Sequence, residues 1–548
     1  MAGRARPGRR GRRRYHAAPC RRPAFIVKPS PPTAAAAVSP LLSTRQLLAL
    51  AAFFVALRQL FAPLADPIVD EAYYWLYAQR MELAFLDHPP LVAWLDWLGT
   101  RLLGNTPAGL RLGALTCGLI ALAYLYRLAW AVSGRREVAA GAVLLGCALP
   151  GFFLSGFLMT PDAPLVPAWA AGVFYLHRAL VQGQGRAWWG AGLAMGLGLL
   201  AKYPIVLLAA GAAGFVLTDA TARRWLLRPQ PYLAVLLALG LFSPVLIWNA
   251  QHDWASFAFQ GSRRVQQGFE FSTHLLAAHV LLLLFPTGAL AAFGVATRRS
   301  WRAQAVADAR SRRFLLWTAA VPFGVFFAFS LFNYPHFHWT GPAYIGLLPF
   351  LAATLVLPAP AGDRLRQRLA RLWRPSLLLL GAVYALSAVY IVWGLPGVPY
   401  PTHSKDYLAW REAADAVHAL EQQVQRDTGQ RPLVAGMSKW SIAAGLAFHD
   451  TDGRRDNITS RNIVGDSAAM FEYWFDDTSG GRRPVLLVDF ERKDLEEPEV
   501  EAALIDVGPI QAQTLRWRGQ VIRHLYYRVA AGYRPDAVRR VPPVHKER

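Results

Sequence analysis

Apolar stretches of near-spanning length recur along most of the chain, at about 44–64, 109–132, 138–158, 163–180, 187–202, 204–218, 232–248, 274–297, 314–332, 340–358 and 375–394. A helix needs about 20 such residues to cross the hydrocarbon core of a bilayer, and several of these runs are shorter, which leaves their ends soft. Composition agrees: 54% of the 548 residues are hydrophobic, 19 are Trp, and the mean hydropathy is +0.24. That is too apolar for a soluble chain of several domains. It predicts a mostly α fold, a polytopic membrane bundle of about eleven helices.

The connectors between the runs alternate in character. A formal charge of +23 would suggest nucleic acid if the basic side chains shared one polar face, but here they lie between apolar runs and report orientation. Membrane lipids are the expected partners, and nucleic acid is not. With the N-terminus in the cytoplasm, every other connector carries arginines: Arg135 and Arg136; Arg178 and Arg186; Arg223, Arg224 and Arg228; Arg298 to Arg313; and Arg364 to Arg374. Residues 1–43, with Arg9, Arg10, Arg12, Arg13 and Arg14 followed by a Pro/Ala-rich tract, read as a disordered basic cytoplasmic tail. The run after it has no clear small-residue cleavage site and is expected to be an uncleaved first helix. Cys20, Cys117 and Cys147 show neither metal-ligand spacing nor a disulfide framework.

The opposite connectors are acidic, aromatic and histidine-bearing. The first, about 65–108, holds Asp66, Asp70, Glu71, Asp87, His88 and Asp96; the second is a tight turn around Asp162; the third is the break Lys202-Tyr203-Pro204. The fourth, about 249–273, contains His252, Arg263 and Arg264, and the fifth contains His336 and His338. By parity all five converge on one membrane face. From about 396 to 548 composition turns polar, with a helical stretch near 404–426, apolar strands at 432–434 and 484–488, and an alternating tail at 510–528. This predicts a small α/β domain outside the cytoplasm, after a transmembrane domain at 44–395.

Several of these residues suit chemistry, and each also has a plainer explanation. Asp70 and Glu71 open an aromatic-rich amphipathic stretch: they are either helix-capping acids above an aromatic belt, or a general base facing the membrane surface. Asp87-His88, fixed by Pro89 and Pro90, is a solvated turn, a phosphate contact or part of a cation site. Asp162 is an N-cap or a functional intramembrane acid. Lys202 either snorkels or meets a lipid phosphate, with Arg263 and Arg264 supplying further neutralisation. Gly192 and Gly196, four apart, read as helix-packing residues. No Walker loop and no dinucleotide fingerprint follows a strand, so an activated donor has to arrive through the bilayer, as a polyprenyl-phosphate sugar does.

Asp70-Glu71-Ala72-Tyr73-Tyr74-Trp75, Asp87-His88-Pro89-Pro90, Thr160-Pro161-Asp162-Ala163-Pro164, Lys202-Tyr203 and Ser243-Pro244-Val245-Leu246-Ile247-Trp248-Asn249 stand in the order and spacing of bacterial lipid-carrier-dependent glycosyltransferases. The chain resembles the GT-C superfamily, specifically glycosyltransferase family 39, with its protein O-mannosyltransferase and lipid A aminoarabinose transferase relatives, from about residue 45 to 350. The resemblance implies catalytic Asp70 with Glu71 beside it, Asp162 in the same cavity, and Asp87, His88 and Lys202 near the carrier phosphate. Asp87-His88 departs from the Glu-Lys of the aminoarabinose relatives. Their metal-binding histidine of the fourth external loop has His252 as its nearest counterpart, so Asp87 and His252 are the candidate ligands of a possible divalent metal ion. The expected function is transfer of one sugar from a polyprenyl-phosphate donor to a lipid, glycan or protein acceptor at the periplasmic face of a bacterial inner membrane. The rival is a transporter or flippase for a lipid-linked substrate.

Overall fold

Each of the eleven apolar runs is largely helical in the computed structural model, which describes residues 1–3, 42–265, 271–336, 338–395, 397–400, 407–450 and 455–541. The expected basic tail, apart from its two ends, lies outside the described residues. Helix α1 (Thr44–Phe61) opens on a capping box in which Ser43 and Gln46 each satisfy the other's backbone N–H. Two helices of the first connector follow, α2 (Val69–Gln79) and α3 (Leu91–Leu103). Helix α4 (Pro107–Ser133) starts on a Thr106 cap with proline in its first turn and stops at left-handed Gly134. Then come α5 (Arg136–Ala148), α6 (Pro150–Ser155), α7 (Asp162–Leu176), α8 (Ala187–Ala201), α9 (Val206–Thr218) and short α10 (Ala220–Arg223). Helices α11 (Pro229–Gln251), α12 (Ala255–Val265), α13 (Thr273–Leu284), α14 (Gly288–Thr297), α15 (Arg299–Ala305), α16 (Ala309–Ser330), α17 (Leu348–Val356) and α18 (Arg364–Trp393) complete the bundle.

Among the described residues, five helices (α1, α4, α11, α16 and α18) are long and apolar enough to cross a membrane by themselves. The number reaches seven if the bent pairs Tyr203–Thr218 with Ala220–Leu227 and Thr273–Leu284 with Gly288–Thr297 each form one span. Elsewhere the expected spans are interrupted. Pro150 restarts the helix after α5, a π-helical turn at His177–Val181 prolongs α7, and a 3-10 helix at Gly341–Gly346 precedes α17. Proline lacks a backbone N–H and sits most easily in a first turn, so Pro150, Pro204 and Pro342 mark new helical starts. Gly192 and Gly196 do bring helices together: a Cβ on Gly192 would lie 2.6 Å from the Ala234 carbonyl oxygen of α11, and one on Gly196 2.5 Å from Leu241.

The C-terminal part contains α19 (Trp410–Thr428), β1 (Leu433–Gly436), α20 (Ser441–His449), β2 (Ile458–Thr459), α21 (Phe471–Trp474), β3 (Val485–Asp489), α22 (Pro498–Ala503), β4 (Leu504–Val507), β5 (Gln511–Trp517) and β6 (Gln520–Tyr533). The sheet runs β2-β1-β3-β6-β4, with β5 also pairing β6. Strands β1, β2 and β3 are parallel, with Val434 opposite both Ile458 and Leu486, while β6 is antiparallel to β3, β4 and β5. Side chains alternate across a strand, so Leu433, Ala435, Val485 and Leu487 enter one core, and Val434, Leu486 and Val488 the other. The alternating tail is the β5–β6 hairpin, turned by Arg518 and Gly519, both with positive φ.

One sequence expectation changes here. Helix α2 is not an amphipathic helix resting on lipid; Ala72 to Ala78 are all buried. Its aromatics form a common core with α20 and residues 468–474: Tyr73 stacks on Trp440 at 5.0 Å, Trp75 meets Phe448 edge-on, and the Met470 backbone N–H donates to the Tyr73 hydroxyl. The C-terminal domain covers the rings that the sequence alone assigns to an aromatic belt.

Candidate active site

The two adjacent carboxylates at the start of α2 have different surroundings, because neighbouring helix positions point about 100° apart. Glu71 is fully buried. Its oxygens accept from Arg111 Nε at 2.8 Å and Nη2 at 2.6 Å, from the Met159 N–H at 2.9 Å, and from the Ile68 N–H at 3.1 Å. Arg111, 1% exposed, also donates to the carbonyls of Ala62, Ala65 and Asp66. Buried ions need full hydrogen-bonding partners, and this pair has them. It ties the start of α2 to α4 and to the turn leading to Asp162.

Asp70 is left facing the other way. Burial raises its carboxyl pKa to about 6 and the charge of Glu71 adds to this; its own backbone amide and the Lys202 ammonium oppose the shift. A carboxyl poised there is ionised at neutral pH yet remains basic enough to take a proton.

Asp162 opens α7 and accepts from Lys202 Nζ at 2.8 Å, with His338 Nε2 at 3.6 Å from the same oxygen. Lys202 can reach it because the chain leaves α8 in an extended conformation (φ −163°, ψ 134°) before Tyr203-Pro204 starts a new helical turn. Burial pushes the His338 imidazole down to about 4, so it meets Asp162 as a neutral ring. His88 packs edge-on against Tyr74, 5.4 Å between centroids, and lies near enough to Asp162 to act on it electrostatically. The structure thus brings Asp70, Asp162, His88, Lys202 and His338 into one electrostatic neighbourhood.

Asp87 belongs to the adjoining wall. Its carboxylate accepts a hydrogen bond from the Tyr77 hydroxyl, and Gln260 of α12 donates to its backbone carbonyl at 2.6 Å. Burial raises the Asp87 pKa, while the Tyr77 hydrogen bond and the Lys439 ammonium act the other way. His252 is elsewhere employed, with Nδ1 2.8 Å from the Trp248 carbonyl and its ring stacked on Trp248 at 4.0 Å. Among the described residues no three His, Cys, Asp or Glu side chains are placed to hold an ion. Arg263 and Arg264 lie in α12, but their side chains fall outside the described residues.

Sequence reasoning missed Arg111, though an arginine inside the apolar run 109–132, which also holds Arg127, is a signal of function or of a buried partner. It also missed Lys439 and Trp440, which nothing local distinguishes from an ordinary surface loop.

Residues 87–248, which include Asp87, His88, Asp162 and Lys202, match the family described as dolichyl-phosphate-mannose-protein mannosyltransferase. Most of the chain superposes on ArnT from Cupriavidus metallidurans in the apo state with a TM-score of 0.59, covering 88% of this chain and 98% of that one at 14% identity. The same protein bound to undecaprenyl phosphate gives 0.57, covering 89% and 98% at 15% identity. The chain is a multi-pass membrane protein with the GT-C fold of ArnT. Its sequence is also similar to that of the lipid A galacturonosyltransferase RgtD of Rhizobium johnstonii, at 32% identity over 197 residues. That alignment takes in 34% of this chain and spans 39% of the relative's length.

Proposed function

We propose that the chain is a glycosyltransferase that moves one sugar from a polyprenyl-phosphate donor to a lipid acceptor at the periplasmic face of a bacterial inner membrane. Asp70 carries this reading: it is a carboxyl with a pKa raised to about 6, beside a lysine–aspartate pair at the break between two apolar helices. The acceptor hydroxyl oxygen attacks the anomeric carbon, the bond from that carbon to the carrier phosphate breaks, and the phosphate departs with the electron pair. Asp70 takes the hydroxyl proton, while Lys202 and His88 stabilise the departing anion, with Asp162 holding the Lys202 ammonium in place. Arg263 and Arg264 are further candidates for that neutralisation. Direct displacement inverts the anomeric centre. With a phosphate as acceptor no proton is removed, and Asp70 orients the nucleophile. Glu71 positions both carboxylates through Arg111 and Met159 without touching substrate.

The likeness to RgtD favours a lipid A-type acceptor over glycan or protein. Charges gathered at helix ends on one face suit a transferase better than a translocation path, which places them near the bilayer midplane. The N-terminus is then cytoplasmic and the domain from 396 onward periplasmic, as the arginine alternation implies. Purified protein in lipid, given labelled polyprenyl-phosphate sugars and lipid A, tests the reading: wild type is expected to form product and Asp70→Asn is not. Equal product from both removes Asp70 from the mechanism. A reporter fused after Asp162 that scores cytoplasmic undoes the site.

A further inference from the structure

The C-terminal domain does more than cover α2, because its chain reversal points into the site. From β1 the chain crosses to β2 on one side and then returns to β3 on the other. In open parallel sheets such a reversal leaves a crevice beyond the carboxyl ends of the strands, where ligands bind. The loop leaving β1 there is Met437-Ser438-Lys439-Trp440. It is built rigidly: the Ser460 hydroxyl lies 2.7 Å from the Ser438 carbonyl and 2.9 Å from that of Lys439, and Ser438 Oγ accepts from the Ile442 N–H at 2.8 Å. Trp440 stacks on Tyr73 of α2, three residues after Asp70. Lys439 Nζ sits 5.7 Å from the centre of the Phe259 ring, and the next residue, Gln260, holds the backbone of Asp87. A cation from the sheet's crevice is therefore delivered, on a fixed loop, to the wall formed by Asp87 and α12.

We propose that Lys439 is a substrate-binding residue of the site, a second lysine beside Lys202 that engages a lipid-linked phosphate. This rests on the transferase reading above. The Lys439 ammonium lies over the Phe259 ring and acts on the Asp87 carboxylate, so a phosphate entering along that wall meets a second cation besides Lys202. The phosphate belongs either to the carrier or to a phosphorylated acceptor, and the two are separable by experiment.

The test uses full-length protein in nanodiscs, as wild type, Lys439→Gln and Lys439→Arg. Undecaprenyl phosphate binding is measured directly, and KM and kcat are measured with lipid A bearing or lacking its phosphates. Loss of a charge-assisted hydrogen bond is expected to weaken one of these constants about tenfold in Lys439→Gln, with kcat within about twofold and recovery in Lys439→Arg. A shift in undecaprenyl phosphate affinity assigns Lys439 to the carrier. A shift in KM confined to the phosphorylated acceptor assigns it to the acceptor. Unchanged constants in Lys439→Gln overturn the inference, as does an equal loss in both variants accompanied by a lowered Tm, which marks a structural role. Wild type that neither binds undecaprenyl phosphate nor forms product overturns the transferase reading, and this inference with it.

Discussion

Two ionic clusters stand at opposite ends of α9, about 20 Å apart at 1.5 Å per residue over its 13 residues. At the arginine-rich end, Asp219 accepts from Arg310 Nε at 3.0 Å and from Arg313 at 2.9 Å, and it caps the Ala222 N–H at 2.9 Å. Arg310 continues to the carbonyls of Leu180 and Val181, so the cluster joins α9, the π-helical turn and α16, with one carboxylate held between two guanidiniums. At the other end Lys202 is bonded to Asp162, and Asp70 feels that ammonium only as a minor opposing influence on a pKa raised by burial. A buried carboxylate with complete partners is held in place and costly to strip of them, whereas an acid denied one retains basicity for chemistry. Glu71 is an exception at its own end: although adjacent to Asp70, it is as fully paired as Asp219.

The contrast predicts opposite phenotypes. Asp70→Asn is expected to lower transfer to a hydroxyl acceptor by about 10²–10⁴-fold. Its Tm at pH 7 should hold or rise. A carboxyl whose folded pKa lies above its unfolded value of 3.8 loses stability as pH rises through about 6, and the amide removes that penalty. In wild type the rate should fall about tenfold per pH unit below about 6 and level off above it, a profile measurable on kcat/KM. Glu71→Gln strands the buried Arg111 guanidinium and should cost about 3–5 kcal/mol, read by denaturant or thermal unfolding in detergent. Lys202→Met should reduce kcat about 10²-fold, with inactivity shared by every polyprenyl-phosphate donor. Asp219→Asn should leave kcat alone and cost about 1–3 kcal/mol in stability. Arg313→Ala, at a side chain 54% exposed, should change stability by less than about 1 kcal/mol. A large kcat effect from Asp219→Asn would erase the distinction between the clusters.

Much of the bundle is legible in the amino-acid sequence. The apolar runs, the proline breaks and the Gly192–Gly196 contact follow from local rules, since a helix satisfies its own backbone whatever surrounds it. The gathering of Asp70, Asp162, His88 and Lys202 follows from counting spans. The strands at 432–434 and 484–488 are visible as short apolar runs, and both lie in the parallel part of the sheet. Asp87 and His252, paired by the resemblance, each have another partner in the structure, the Tyr77 hydroxyl and the Trp248 ring.

The sequence by itself determined a many-helix membrane protein and the clustering of acidic residues in alternate connectors, because hydropathy and charge act within one helix length. Only the tertiary structure decided which of two adjacent carboxylates faces the site and which is consumed by Arg111, 40 residues away. It also decided that Tyr73 is covered by a domain whose contacting residue, Met470, lies 397 positions further on. Both depend on burial, which sets the cost of a charge and the partners it must find, and burial is a property of packing between distant segments.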